Sequence, residues 1–279
     1  MLLRLLPTLL LASAGLLSAQ TPKDWIHLFN GKNLDGWTPK IKGYDYGDNY
    51  ANTFRVQDGY LTVSYDGYTD FGTRFGHIFY KDTFSYYRVA VEYRFLAQQA
   101  PNGPGWATRN SGIMVHGQDP KTMGKDQDFP ISIEVQLLGG LGKGPRTTAN
   151  LCTPGTNVVM NGELLTRHCT TSTSETYEGE QWVRADVEVL GNGKITHFVE
   201  GKPVLTYEKA QIGGGTVSNF DPAVKKDGTM LSEGSISLQS ESHPVQFRKV
   251  ELLNLSGCMD KKSKNYRAWY VHSDPSRCR

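Results

Sequence analysis

Turn-forming dipeptides recur along this chain and confine regular structure to the short segments between them. The Asp-Gly and Asn-Gly pairs, which favour tight turns, include 35–36, 58–59, 66–67, 102–103, 161–162, 192–193 and 227–228. The strand-like segments between them are 60–65, 87–95, 112–116, 131–138, 182–190, 194–200, 235–240 and 245–253. Segments 182–190 and 194–200 flank Gly-Asn-Gly and predict one hairpin. No amphipathic helix longer than about ten residues is evident, and only short turns are expected near 121–125. The sequence therefore predicts an all-β domain of two packed antiparallel sheets, a sandwich or a jelly roll.

The first nineteen residues have the pattern of a secretory signal. Arg4 supplies a positive charge, an apolar run covers 5–17, and Ser18-Ala19 forms a small-residue cleavage site. This pattern predicts export to the periplasm or the extracellular space, with no membrane span after cleavage; a retained membrane anchor is the alternative. The remaining 260 residues have a net charge of +1, which argues against a nucleic-acid partner.

The four cysteines, Cys152, Cys169, Cys258 and Cys278, allow three disulfide pairings. In an oxidising compartment the local pairing is favoured, Cys152 with Cys169 and Cys258 with Cys278, each bridge stabilising the fold by about 3 kcal/mol. A metal site is the alternative. No C-x-x-C pair is present, and His168 beside Cys169 is only a weak indication of zinc.

Two long segments look like ordered loops rather than strands. Residues 66–77 are rich in Gly, Tyr and Asp, whereas 139–181 are rich in Gly, Thr and Ser and contain the first cysteine pair. Long ordered loops on a sandwich commonly wall a binding site, and a disulfide would keep such a wall rigid. Ordinary surface decoration is the alternative.

Two of the strand-like segments carry polar residues where a plain core strand would carry apolar ones. In 131–138 the odd positions are Ile, Ile, Val and Leu, while Glu134 and Gln136 alternate with them and face the other way. In 112–116 the apolar residues at 113 and 115 share one face, and His116 points to the opposite one. A carboxylate, an amide and an imidazole are therefore predicted to converge on one surface of a sheet.

Four motifs occur in order along the chain and identify a known family. They are L-F-N-G-K-N-L-D-G-W at 28–37, N-S-G-I at 110–113, E-V-Q-L at 134–137, and G-S-I-S-L-Q-S at 234–240 followed by V-Q-F-R-K-V at 245–250. Together they resemble the 3-keto-glycoside 1,2-lyase / 3-keto-2-hydroxyglucal hydratase family, often called 3-keto-disaccharide hydrolases. The resemblance implies a secreted bacterial protein with a concanavalin A-like lectin/glucanase jelly roll that acts on oxidised sugars. With the leader at 1–19, it implies a catalytic domain at 20–256 and a short disulfide-closed appendage at 257–279, a cap or docking element.

The chemistry that the resemblance implies needs few groups. A ketone at C3 of a sugar acidifies the proton on C2, so one base starts a β-elimination that expels the substituent at C1; hydration of the resulting glucal is the reverse logic. His116 and Glu134 are the predicted base and acid, although a salt bridge to Arg109 or Arg248 is the structural alternative for Glu134. The candidate substrate-binding residues are Arg109, Gln136, Asn150, Trp106 and Gln239.

A divalent metal is another candidate stabiliser of the enolate. Its candidate ligands are Asp126, Asp128, His116 and Glu134, which are suitable residue types at a spacing that matches no tight metal motif. No flavin or nicotinamide fingerprint follows a strand, so another protein is expected to oxidise the sugar.

Two further functions compete with the lyase. Glucanases of this fold often carry E-x-D-x-x-E on one strand, but 134–139 reads E-V-Q-L-L-G, with one carboxylate. A hydrolase would need a second acid, and Asp126, Asp128 and Glu241 are the candidates. The other competitor is a non-catalytic carbohydrate-binding module. All three functions predict a mono-, di- or oligosaccharide as the partner.

Overall fold

A computed structural model describes residues 24–96 and 98–279 of the chain, and nearly all of their regular structure is β-strand. In chain order the strands are β1 (Trp25–His27), β2 (Trp37–Ile41), β3 (Phe54–Gln57), β4 (Tyr60–Val63), β5 (Gly76–Phe84), β6 (Tyr86–Phe95), β7 (Asn110–Gly117), β8 (Ile133–Leu138), β9 (Asn150–Cys152), β10 (Thr156–Met160), β11 (Glu163–Leu165), β12 (Cys169–Thr170), β13 (Val183–Leu190), β14 (Lys194–Val199), β15 (Lys202–Ile212), β16 (Gly234–Ser240), β17 (Val245–Asn254), β18 (Ser256–Gly257) and β19 (His272–Ser273). Short 3-10 turns occupy Tyr50–Asn52, Gly105–Ala107, Pro120–Thr122 and Pro275–Arg277.

Two antiparallel sheets form the jelly roll that the resemblance implies. The larger sheet has the strand order β11-β10-β15-β14-β13-β6-β17-β4-β3, with β1 added along β17. The smaller sheet has the order β12-β9-β8-β7-β16-β5-β2. In the smaller sheet β16 lies between β7 and β5, so residues more than a hundred positions apart in the sequence become neighbours.

Strand alternation explains where the core lies. The odd-numbered residues of β8, such as Ile133 and Val135, are fully buried and belong to one apolar cluster with Val89 and Val91 of β6 in the larger sheet. The even-numbered residues of β8 face away from that cluster. One face of the smaller sheet is therefore committed to the core, and the other is free to carry polar groups.

All eight predicted strands are confirmed, with ends that differ by a few residues at most. The hairpin at Gly-Asn-Gly is confirmed as β13 and β14, paired from Val189 and Ile195 outward. The prediction of a loop at 139–181 is wrong in part, because β9, β10, β11 and β12 lie within it. Those strands have two to five residues each, too short to show a clear period of two.

The predicted local disulfide pairing is confirmed. Cys152 and Cys169 are directly paired residues of β9 and β12, with a Cα–Cα distance of 4.2 Å. Cys258 and Cys278 are bridged across the appendage, where β18 and β19 form a small parallel pair. The predicted signal segment lies outside the described residues. Among residues 24–96 and 98–279, no helix has the length and apolar character needed to cross a bilayer.

Candidate functional site

A row of mostly polar residues crosses the outer face of the smaller sheet, which is the face turned away from the core. Antiparallel register places one residue from each of six neighbouring strands in line. From β9 to β2 this polar row consists of Asn150, Gln136, Gly112, Gln239, His77 and Lys40. Glu134 lies beside the row on β8, between Met114 and Cys152.

A cavity of about 300 Å³ opens over Glu134. Its lining comes from the sheet and from the loops around it: Trp106, Asn110, Phe129, Glu134, Gln136, Cys152, Pro154, His168, Cys169, Thr216 and Glu241. The Cys152–Cys169 disulfide forms part of one wall, as the sequence predicted for the loop that contains it. The volume suits a single small ring, at the lower end of the range for ligand pockets.

Glu134 is a buried carboxyl without an ion pair. No Arg or Lys side chain in the described part of the chain forms a salt bridge with it; Arg248 instead pairs with Glu92 on the larger sheet. Burial raises the pKa of Glu134 to about 8. A Cβ at Gly112 would lie 2.9 Å from both Cγ and Oε1 of Glu134, so the carboxyl occupies the space that the missing side chain leaves. The salt-bridge alternative is therefore wrong, and Glu134 faces the cavity as an unpaired acid.

Glu241, which directly follows β16, is the second carboxyl of the cavity. It is 3% exposed, and its Oε2 atom has no hydrogen-bond partner among the described residues. Burial, reinforced by the nearby Glu134, raises the pKa of Glu241 well above its usual range. Two buried carboxyls that repel each other do not both ionise near neutral pH. The pair therefore retains at least one proton.

An aromatic wall, formed by Phe75, Trp106 and Phe129, stands beside the carboxyl pair. Trp106 stacks on Phe75 with ring centroids 5.9 Å apart, and Phe129 packs against Phe75 at 5.1 Å. Trp106 is nevertheless 59% exposed, although Phe75 covers part of it. An exposed indole face on a rigid support is suited to stacking against the apolar face of a sugar ring.

Several polar atoms on this face have no partner within the described residues. Both ring nitrogens of His77, both amide atoms of Gln239 and Oδ1 of Asn110 are buried and unbonded. Burial lowers the pKa of His77 to about 3, so its ring is neutral. Buried polar groups in proteins are nearly always hydrogen-bonded, so this cluster holds hydrogen-bonding capacity that the described residues leave to water or to a ligand.

The predicted meeting of His116 with Glu134 does not occur. His116 has a φ of 50°, at a point where the pairing of β7 with β16 shifts register. Its side chain consequently turns away from the cavity, and Nε2 lies 3.0 Å from the Gly191 carbonyl oxygen at the β13–β14 turn. Burial lowers the pKa of His116 to about 4. Simple alternation could not predict this, because a bulge reverses the direction of the side chain.

His168 supplies the imidazole of the cavity instead. It precedes β12, beside the disulfide, and its Nδ1 atom is buried without a partner among the described residues. Burial lowers the pKa of His168, and a hydrogen bond to the backbone of Thr153 opposes that shift. Nδ1 is thus a ring nitrogen without a hydrogen-bond partner among the described residues, and in the tautomer protonated at Nε2 it carries a free lone pair. Its position next to Cys169 was the only signal in the sequence.

Three other residues were predicted to bind substrate, and the structure places them differently relative to the cavity. Asn150 is saturated, because it bonds Thr147, Ser172 and Gln136. Gln136 accepts from Asn150 at 3.1 Å and lines the cavity, so Asn150 orients Gln136 toward the ligand space. Arg109 does not line the cavity, and its guanidinium donates to the Gly179 carbonyl.

The four candidate metal ligands do not gather. Asp128 accepts hydrogen bonds from Ser218 and from the Phe129 amide, and Asp126 is exposed. The group of three potential ligand side chains found among residues 24–96 and 98–279 is Cys152, His168 and Cys169, whose ligand atoms lie within 4.8 Å of one another. Both cysteines are held in the disulfide, so this group lacks the thiolates that a zinc site needs.

One sheet face of this jelly-roll sandwich thus carries a pair of buried carboxyls and an aromatic wall. The chain belongs to the family of the 3-keto-alpha-glucoside-1,2-lyase-like domain, whose family model matches residues 24–253. The family assignment made from the four sequence motifs is thereby confirmed.

The solved structures that match this chain are distant in sequence. Two structures of candidate glycosyl hydrolases from Parabacteroides distasonis are 18% and 17% identical, with TM-scores of 0.48 and 0.49; they cover 83% and 84% of this chain and 99% and 94% of their own. A protein of unknown function with a galectin-like fold from Bacillus subtilis is 12% identical over 79% of this chain and 90% of its own, with a TM-score of 0.49. No curated protein sequence matches the chain.

Proposed function

We propose that this protein cleaves 3-keto glycosides by removing the C2 proton and eliminating the substituent at C1, or hydrates the related glucal. The observation that carries the proposal is that one cavity contains an acid and a base whose pKa values are shifted in opposite directions. Glu134 has its pKa raised to about 8, whereas the free Nδ1 atom of His168 belongs to a ring whose pKa is lowered. One group therefore holds a proton near neutral pH while the other can accept one.

In the proposed reaction His168 is the base and Glu134 is the acid. The His168 imidazole takes the C2 proton, and the electrons of the C–H bond pass through the enolate of the C3 ketone to form the C1=C2 double bond. The C1–O bond breaks as Glu134 gives its proton to the leaving oxygen. His168 gains one proton and Glu134 loses one, so the net charge of the site does not change. Addition of water to the glucal follows the same steps in reverse.

Neighbouring groups support the charge and the position of the substrate. Glu241 holds a proton and can donate a hydrogen bond to the developing enolate oxygen, as a neutral carboxyl in a buried site does. Gln136 and Asn110 are suited to bind ring hydroxyls, and Trp106 to stack on the sugar ring. The substrate-binding roles predicted for Gln136 and Trp106 are thus retained in the proposal.

A glycoside hydrolase is the second candidate, because Glu241 supplies the second carboxyl that β8 alone lacks. Hydrolysis needs one of the two carboxyls ionised, as a nucleophile or as a base for water. The raised pKa of both carboxyls works against that requirement and favours the elimination.

The oxidation state of the substrate separates the two reactions. We expect release of a chromogenic aglycone from the 3-keto glucoside and none from the unoxidised glucoside, since only the ketone acidifies C2. The measurement is aglycone absorbance over time, with each substrate before and after treatment with a chelator. Equal release from both substrates would identify a hydrolase, and activity lost to the chelator and restored by added metal would support the metal-assisted alternative.

The pKa values of His168 and Glu134 determine how the activity should change with pH. kcat/KM should rise as the pH increases through the pKa of His168, which lies below 6.5, because the base must be neutral. It should fall as the pH passes about 8, because the acid must be protonated. A pH–rate profile of the keto substrate tests this, and activity that rises through pH 8 would instead make Glu134 the base.

A further inference from the structure

The charges of this chain are divided sharply between the jelly roll and the appendage. Residues 257–279 contain six Lys or Arg and two Asp, a net charge of +4. Residues 24–256 contain 22 basic and 26 acidic residues, a net charge of −4. The family model ends at residue 253, so the positive charge lies on a part of the chain that the carbohydrate-related domain does not include.

The appendage is built to hold its shape. The Cys258–Cys278 disulfide closes it, and β18 pairs with β19 at its base. Within it, the Asn265 side chain donates to the Arg277 carbonyl at 2.9 Å, and the Ser263 hydroxyl donates to the Arg279 carbonyl at 3.0 Å. These bonds fix the backbone that carries the arginines.

Three arginines are among the residues that line a cavity of about 430 Å³ in the appendage. Its lining residues are Cys258, Asn265, Arg267, Tyr270, Ser276, Arg277 and Arg279. Arg267 is paired with Asp24 at 3.9 Å and Arg277 with Asp274 at 2.9 Å, whereas Arg279 has no ion-pair partner in the described part of the chain. The guanidinium of Arg279 and the net charge of +4 on the appendage therefore leave positive charge that a bound anion would compensate.

We propose that this cavity binds an acidic sugar unit of a polysaccharide, through the carboxylate of a uronate or the sulfate of a sulfate ester. Guanidinium groups bind such planar or tetrahedral oxyanions through paired hydrogen bonds. The side-chain oxygen of Asn265 is an acceptor for a ring hydroxyl, Tyr270 supplies a ring surface, and the volume fits a sugar. The site would hold the protein on its polymer independently of the chemistry at Glu134.

Other polyanions fit the molecule less well. A nucleic acid needs a positive surface that follows many phosphates, but the jelly roll next to the appendage has a net charge of −4. A membrane surface is flat, whereas the three arginines line a recess. The charge distribution and the shape therefore favour a polymer whose single units enter the cavity.

The test is a binding measurement on the full exported chain by isothermal titration calorimetry at near-physiological salt. The probes are polygalacturonate and dextran sulfate, with neutral dextran, duplex DNA and vesicles of anionic lipid alongside. We expect binding to polygalacturonate, to dextran sulfate or to both, which also tells the carboxylate source from the sulfate source, and none to neutral dextran.

Matched variants distinguish binding in the cavity from attraction by the overall positive charge of the appendage. The pair Arg267→Gln and Arg279→Gln should weaken binding by at least about tenfold. The control pair Lys261→Gln and Lys262→Gln removes the same charge from exposed positions outside the cavity and should weaken it by less than about threefold. Equal weakening by both pairs, no binding to either acidic polymer, or equal affinity for DNA or vesicles would overturn the proposal. Thermal unfolding of each variant shows whether the appendage remains folded.

Discussion

The Glu134→Gln protein is expected to turn over a 3-keto glucoside about 10²- to 10⁴-fold more slowly than the unchanged chain. Glutamine keeps the shape and the polarity of the side chain but has no proton to give to the leaving oxygen. Affinity for the sugar should therefore stay within a few fold, because Trp106 and Gln136 still line the cavity. Steady-state kinetics and a separate binding titration measure the two effects.

The control for this variant is Glu163→Gln, which makes the same change at an exposed carboxyl on β11 and should leave turnover unchanged.

Stability provides a second readout for the Glu134→Gln protein. A carboxyl whose pKa rises from 4.5 to about 8 on folding binds more protons in the folded state, so its ionisation destabilises the fold as the pH rises through that range. The Glu134→Gln protein should thus melt above the unchanged chain at pH 9 but not at pH 5. Full turnover by this variant would remove Glu134 from the mechanism.

The Gly112→Ala protein is expected to lose about 10²-fold in kcat, because small displacements of a catalytic group are that costly. The added Cβ would lie 2.9 Å from Cγ and Oε1 of Glu134, so the carboxyl must leave its place over β7. The backbone of Gly112 does not need a positive φ, so the effect comes from the displaced carboxyl rather than from backbone strain. Kinetics with the keto substrate measure it.

Gly105→Ala is the matched control, since a Cβ there meets nothing within 4 Å. It lies in the 3-10 turn that also holds Trp106, so it tests whether the neighbourhood tolerates one added methyl group. We expect its turnover to equal that of the unchanged chain. If Gly112→Ala is as active as this control, turnover does not require the Glu134 carboxyl at the position that the structure shows.

The sequence predicts the sheets of this protein well because their signals are local. Alternation in 131–138 was sufficient to put Glu134 and Gln136 on the outer face, and Asn-Gly located the β13–β14 hairpin. Two of the strands that were not predicted, β9 and β12, are stabilised by a disulfide and by their neighbours rather than by a periodic pattern of their own.

The site was harder to predict because it depends on contacts between distant segments. Glu241 enters it because β16 inserts between β7 and β5, an order that no periodicity encodes. His116 leaves it because of one bulge, and His168 enters it because a disulfide carries a loop to the edge of the sheet. Each of these events changes the direction or the partner of a side chain without changing the residues around it in the sequence.

The polar row draws one residue from each of six strands, and this has a consequence for how such proteins diversify. The strands are held together by backbone hydrogen bonds, which do not depend on the identity of an outward-facing side chain. A lineage can therefore exchange an outward-facing residue of the row, such as Gln136 in the cavity lining, and alter the proposed sugar site while the scaffold stays intact. Gly112 is the exception, since any larger residue there would displace the Glu134 carboxyl. This position is therefore constrained by the proposed chemistry, whereas other positions of the row are free to change.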